Sequence, residues 1–244
     1  MGIIRGDYYT DPGGREENED SCLLVFEKGK GVCALVADGL GGHGGGAEAS
    51  AKAKDVIYTR FMEESIKRPE EFNVWFQEAN QEVLKMQTPE IEMKTTLVVL
   101  LMRHGKAMWA HIGDSRLYHF ADGELIEQTF DHSVSQMAVL RGEIKQKDIR
   151  GHVDRSRLLR AIGREDTIKI DVSEITELSD GEHAFLLCTD GFWEYVTEEE
   201  MEKDLNRSAT PREWLERMRK RVDKRTKHKN NDNNTAVAVM YEGG

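Results

Sequence analysis

The sequence predicts a layered α+β sandwich. Three observations point there: short apolar runs joined by two-residue turn signals, helical periodicity confined to blocks before and after them, and 244 residues, enough for one sizeable core. In chain order, 22–26 (CLLVF) and 32–37 (VCALVA) read as strands. Within 47–63, Ala49, Ala53, Val56, Ile57 and Phe61 recur at helical spacing. Phe72, Trp75, Phe76, Ala79, Val83 and Met86 do the same, so two amphipathic helices are expected. Strands follow at 95–102, 106–113 and 115–120. His104-Gly105 and Asp122-Gly123 are turns too short for a parallel crossover, so the sheets must be largely antiparallel.

The stretch 131–166 is charged and weakly periodic, and reads as an inserted flap within a single domain spanning 1–244. Strands are expected again at 168–174 and 184–189. Thr197 with Glu200 and Thr210 with Glu213 are T-x-x-E capping boxes, the second with Pro211 at the first helical position. They open two helices, the latter apolar at Trp214, Leu215, Met218 and Val222, before a last strand at 235–241. The basic run 217–229 reads by default as a solvated helix face.

Thirty-four basic against 45 acidic side chains leave a net charge of -11, which repels phosphate backbones and argues against a nucleic-acid partner. No apolar run reaches the roughly 18 residues of a spanning helix, and the N-terminus lacks a signal-peptide pattern. A cytoplasmic protein without a membrane partner is expected. Cys22, Cys33 and Cys188 lack CxxC spacing and read as free thiols.

Six of the eight residues from 39 to 46 are glycine, a density whose entropic cost needs a reason. Residues 39–44 satisfy G-x-G-x-x-G, but two helices and an antiparallel hairpin follow where a dinucleotide site needs a parallel strand. The alternative is that the glycines turn the chain sharply off a strand end and expose the Asp38 carboxylate and the Gly39 carbonyl to a hard cation. Asp190-Gly191 likewise ends an apolar strand, Asp114 and Asp232 sit at strand boundaries, and Glu19-Asp20 precedes the first apolar run. Each alone reads as a turn or a solvated acid; the set suggests convergence. Two carboxylates about 5 Å apart repel by roughly 3 kcal/mol at an effective dielectric near 20. Divalent cations would reverse that cost and acidify a bridging water.

RxxNEDS at 15–21, VADGLGGHGGGAEAS at 36–50, KTTLVVLL at 94–101, GDSRLY at 113–118, DHS at 131–133, LLCTDGFWE at 186–194 and DNNT at 232–235 occur in one order across about nine-tenths of the chain. In these motifs the sequence resembles the metal-dependent protein phosphatases of the protein phosphatase 2C type, in their compact bacterial form. The resemblance implies a four-layer α-β-β-α sandwich with two central antiparallel sheets. It implies hydrolysis of phosphoserine and phosphothreonine by a hydroxide bridging two Mn²⁺ or Mg²⁺ ions.

Residue by residue, it makes Asp38 the bridging ligand, adds the Gly39 carbonyl, and completes one metal with Asp190 and Asp232. Glu19 or Asp20 serves the other metal, with the choice open. Asp114 would hold a third, weaker ion with Asp190, Asn233 would support its neighbouring ligand, Arg15 would grip the substrate phosphate, and His43 would protonate the leaving oxygen. The implied partners are phosphoproteins, targets of a serine/threonine kinase and the kinase itself among them, met by a monomer. A pseudophosphatase with the fold but no turnover is the rival reading, against which stands the presence of every one of these acids.

Overall fold

The computed structural model describes residues 2–41, 45–64, 66–178 and 181–243. One antiparallel sheet runs in the order β1 (Ile3–Asp11), β12 (Asn234–Glu242), β11 (Glu182–Cys188), β7 (Arg116–Ala121), β8 (Glu124–Gln128). The other runs β10 (Thr176–Glu177), β6 (Lys106–Ile112), β5 (Leu97–Arg103), β3 (Gly31–Leu40), β2 (Asp20–Glu27). Beside it lie β4 (Lys94–Thr95), paired with β3, and β9 (Asp171–Val172), paired with β6.

Side-chain alternation along β3 builds the layers. Val32, Ala34 and Val36 pack between the sheets with Phe185, Leu187, Val237 and Val239. Cys33, Leu35 and Ala37 face the other way, toward α1 (Gly45–Glu63) and α2 (Phe72–Met86). A strand buried on both faces must be apolar at every position, which is why VCALVA has no polar break. On the outer face of the first sheet, α4 (Asp190–Trp193), α5 (Glu198–Leu205) and α6 (Pro211–Thr226) bury Trp193, Trp214 and Met218 against Tyr118, Phe120 and Leu186. The four-layer α-β-β-α sandwich is thus the observed architecture.

His104-Gly105 and Asp122-Gly123 have positive φ at both residues, as type I′ hairpin turns require. The Glu200 carboxylate accepts from the Thr197 N–H (3.2 Å) as a capping box should. The second box is shifted: Thr210 Oγ1 accepts from Glu213 N–H, but the Glu213 carboxylate caps Ala209 N–H instead.

The strand expectations needed correction in three places. β1 carries Gly6 among charged residues and pairs along its whole length with β12, at the far end of the sequence, so no local pattern announced it. The expected strand 168–174 keeps only Asp171–Val172 in a ladder, while Ile168 and Ile170 reach the core from irregular chain. The run 95–102 breaks between β4 and β5 at Thr96. Segment 131–166 contains α3 (Val134–Leu140) and supplies Ile149 to one helix-side core and Ile162 to the other. Cys33 and Cys188 are buried free thiols and Cys22 is half-buried.

Candidate active site

Strand ends from both sheets deliver acids to one edge of the sandwich. Asp20 opens β2 directly opposite Asp38 near the end of β3, which sets both carboxyls on one face. Asp190 begins α4 immediately after β11, Asp232 precedes β12, and Asp114 lies between β6 and β7. The Asp38 carboxyl is in hydrogen-bonding contact with that of Asp190, and the charges of Asp20, Asp114 and Asp232 also reach it.

The backbone under these acids is tightly held. The Asp38 N–H donates to Thr96 Oγ1, and its carbonyl accepts from Thr96 N–H and Thr95 Oγ1, each at 2.9 Å. Thr96 and Ser115 hydroxyls meet at 2.6 Å, linking Asp38 to the Asp114 turn. Thr189 Oγ1 donates to Asp20 Oδ2 (2.9 Å) and accepts from the Thr235 N–H (3.0 Å). Asn233 Oδ1 accepts from the Glu19 N–H while its amide donates to the Pro12 and Glu17 carbonyls, all at 2.9 Å, so it pins the loop that carries Arg15 and Glu19.

The glycines permit close approach. A Cβ on Gly39 would lie 2.2 Å from the Gly46 carbonyl oxygen, and one on Gly46 2.7 Å from Glu19 Oε1. The end of β3 and the start of α1 therefore meet as bare backbone. Arg15 lies at the rim, donating to Asp232 Oδ2 (3.1 Å), with both side chains half exposed. His43 lies outside the described residues. Glu19 and Asp20 divide: a Gly46 N–H bonds the Glu19 carboxylate, while Asp20 is buried among Asp190 and Asp232.

Sequence reasoning left unassigned the groups that hold Asp114. Its carbonyl accepts from Trp193 Nε1 (3.0 Å). The Arg116 guanidinium stacks 3.5 Å over the Trp193 ring and binds Asp131 bidentately at 2.7 and 2.8 Å, with Arg116 and Asp131 both buried. These residues stand as letters in GDSR, DHS and DGFW, so the motifs marked their importance without revealing a structural role.

A family profile described as Protein phosphatase 2C matches residues 14–233. The chain belongs to the protein phosphatase 2C family. It is 33% identical over 217 residues to a Listeria innocua protein named serine/threonine phosphatase stp, covering 85% of each chain. The Mycobacterium tuberculosis serine/threonine phosphatase PstP/Ppp superposes with a TM-score of 0.83 at 27% identity, covering all of both chains. A catalytic domain of PstP in complex with two manganese ions gives a TM-score of 0.81 at 26% identity, over 99% of this chain and all of that one. By class this member of the family is a serine/threonine protein phosphatase.

The electrostatics of this phosphatase test whether its acids fit such ions. Burial, and then the surrounding acids, push Asp38 and Asp114 well above the usual carboxylate range. Burial raises Asp190 to about 7, helped by Glu194 and Asp232. It also raises Asp20 to about 7, against the pull of hydrogen bonds from Thr235 and Thr189. Asp20 Oδ1 is buried without a hydrogen-bond partner. Converging carboxyls with an unpaired buried oxygen and an all-oxygen donor set suit hard divalent cations.

A second group, His111, His132 and Asp171, also has ligand atoms within 4.8 Å of one another. Its hydrogen bonds argue against a metal there. The Arg160 guanidinium already stands between His132 and Asp171, its Nη1 donating to Asp171 Oδ1 (2.9 Å) and lying 3.1 Å from His132 Nε2, while the Gly113 N–H donates to His132 Nδ1 (3.2 Å). A ligating histidine needs the reverse, a second nitrogen that donates.

Proposed function

We propose that this phosphatase hydrolyses phosphoserine and phosphothreonine on proteins at the acid cluster, with Asp38, Asp190, Asp232 and the Gly39 carbonyl holding two Mn²⁺ or Mg²⁺ ions. The observation that carries the reading is the meeting of Asp38 and Asp190, two carboxyls from different sheets brought into contact by an extensive hydrogen-bond framework. Such ions, when bound, would neutralise the charge of the cluster and lower the pKa of a coordinated water, the source of a hydroxide nucleophile at neutral pH. Asp20 is the nearer candidate than Glu19 for the second ion, because its free oxygen is buried among the acids while Glu19 is bonded at the start of α1. Asp114, with Asp190, is the candidate for a third, weaker ion.

Arg15 binds the substrate phosphate. Its guanidinium already sits against one acid of the cluster, and its planar fork suits phosphate oxygens. His43 donates the proton to the departing oxygen in this scheme. The reading takes as substrates the targets of a serine/threonine kinase, and the kinase itself, and puts the enzyme in the cytoplasm as a monomer. No helix among the described residues is long and apolar enough to cross a membrane.

The test is hydrolysis of p-nitrophenyl phosphate and of phosphoserine, phosphothreonine and phosphotyrosine peptides with Mn²⁺ or Mg²⁺. Turnover of the first three substrates, abolished by EDTA and restored by either ion, is expected. Turnover that survives EDTA would overturn the metal assignment, and a protein inert with both ions would support the pseudophosphatase instead.

A further inference from the structure

Residues 211–229 carry nine lysines and arginines against three acids, in a chain whose net charge is -11. This local inversion of sign belongs to α6, whose buried face is Trp214, Leu215, Met218, Val222 and Thr226. Its cations fall into two sets. Arg221 and Arg225 are spent on α5, with Arg221 bonded to Glu200 (2.8 Å) and Asp204, and Arg225 to Glu200 (2.6 Å). Arg219 binds Asp11 at 3.0 Å.

Arg217, Lys220, Lys224 and Lys227 are exposed and make no ion pair among the described residues. They recur every three or four positions, so Arg217, Lys220 and Lys224 share one face of the helix and Lys227 follows at its C-cap. Their spacing gives a row about 15 Å long at 1.5 Å per residue. Like charges at that spacing repel one another along the helix, a cost that Glu213, Glu216 and Asp223, each four residues before a member of the row, offset in part.

The row also leads somewhere. Beyond Thr226 the chain turns at His228, in the left-handed region at φ 67, and Lys229 lies 5.6 Å over the Tyr195 ring. The Asn231 carbonyl then accepts from the Gly14 N–H (3.0 Å), beside Arg15, and Asp232 pairs with Arg15. The C-terminal end of α6 thus runs directly into the rim of the active site.

We infer that Arg217, Lys220, Lys224 and Lys227 form a docking track for acidic residues that flank the phosphorylated serine or threonine of the substrate. The inference rests on the phosphatase reading and names its preferred substrates. Elsewhere the acidic chain repels such peptides, and this face is the complementary one. Lysine, a point charge on a flexible stem, suits carboxylates whose positions vary from one substrate to the next.

The test compares wild type with Lys220→Glu/Lys224→Glu on two phosphopeptides of identical core, one flanked by Asp and Glu and one by Ser and Gly, and on p-nitrophenyl phosphate with Mn²⁺. Wild type should favour the acidic peptide through KM, and the preference should shrink as salt shortens the Debye length below about 10 Å. The variant should lose roughly tenfold in kcat/KM on the acidic peptide, as expected for two reversed surface contacts. Its turnover of the neutral peptide and of p-nitrophenyl phosphate should not change. Equal use of the two peptides by wild type, or an equal loss on both by the variant, overturns the track while leaving the phosphatase reading intact. Binding of wild type to phosphatidylglycerol vesicles alongside equal use of both peptides would reassign the row to a membrane surface. Failure of wild type to turn over p-nitrophenyl phosphate overturns the phosphatase reading and the track with it.

Discussion

The carboxyl of Asp38, at the end of a strand in one sheet, touches the carboxyl of Asp190, just beyond a strand of the other. Two carboxylates cannot share that contact without a cation or a proton between them. The metal-free protein must therefore hold protons there that an unfolded chain would release near pH 4.

That linkage sets a pH dependence. Asp20 and Asp190 titrate near 7 when folded, above their ordinary value, mainly through burial. The folded state consequently binds more protons than the unfolded state between about pH 4 and 7, so its relative stability falls as pH rises through that window. Thermal melts of EDTA-treated protein should show a midpoint several degrees lower at pH 8 than at pH 5. Saturating Mn²⁺ should flatten or reverse the slope, and an EDTA-treated midpoint that climbs with pH would contradict the proton-sharing cluster.

Asp38→Asn separates the two roles of the cluster. Removing one acid relieves repulsion, so the metal-free variant should be more stable than wild type at pH 8 by about 1–3 kcal/mol in urea unfolding. The same change should abolish phosphatase activity and the stabilisation by Mn²⁺. A variant both less stable without metal and still stabilised by it would remove Asp38 from the centre.

How much of this was legible depended on whether the signal was local. The strand at VCALVA, the turn at Asp122-Gly123 and the cap at Thr197 are written in neighbouring residues and were readable. β1 was not, because its apolar content is thin and its pairing partner lies more than 220 residues away. The acids could be named as a set because each ends an apolar run. Thr95, Thr96, Thr189 and Thr235 gave no comparable sign: their hydroxyls act on Asp38 and Asp20 across strands, and nothing in a threonine's immediate sequence reports what it will bond.

Arg116 and Asp131 make a separate prediction about the floor of the site. Each is buried and each satisfies the other, so Arg116→Met or Asp131→Asn alone leaves a charge without its partner and should cost about 3–5 kcal/mol. The double variant should cost clearly less than the two singles added together, a coupling that urea unfolding of all four proteins would measure. Additive losses would mean that the pair does not act as a unit.

Arg15 is half exposed and bonded to one acid only, so its loss should spare the fold. Arg15→Ala should leave the melting midpoint within about 2 °C of wild type, since surface changes of this kind stay within about 0.5 kcal/mol. On a phosphopeptide it should raise KM more than it lowers kcat. An unchanged KM would take Arg15 out of phosphate binding.

Gly191 tests whether packing at the site is as tight as the backbone contacts imply. A Cβ there would stand 2.0 Å from the Asn233 carbonyl oxygen, a main-chain atom that no side-chain rotation can remove. Gly191→Ala must therefore push Asn233 away. Asn233 in turn holds the Glu19 amide and the Pro12 and Glu17 carbonyls, and it follows Asp232 directly. The displacement should thus reach both sides of the acid cluster together. A stability loss of about 1–3 kcal/mol is expected from the overpacking, with a weakened response to Mn²⁺ in thermal melts and a large fall in turnover. Gly123→Ala is the comparison, because its glycine occupies a type I′ turn outside the acid cluster: it should lose stability through its positive φ while keeping the Mn²⁺ response. Equal metal responses in the two variants would show that the Gly191–Asn233 contact does not position the ligands.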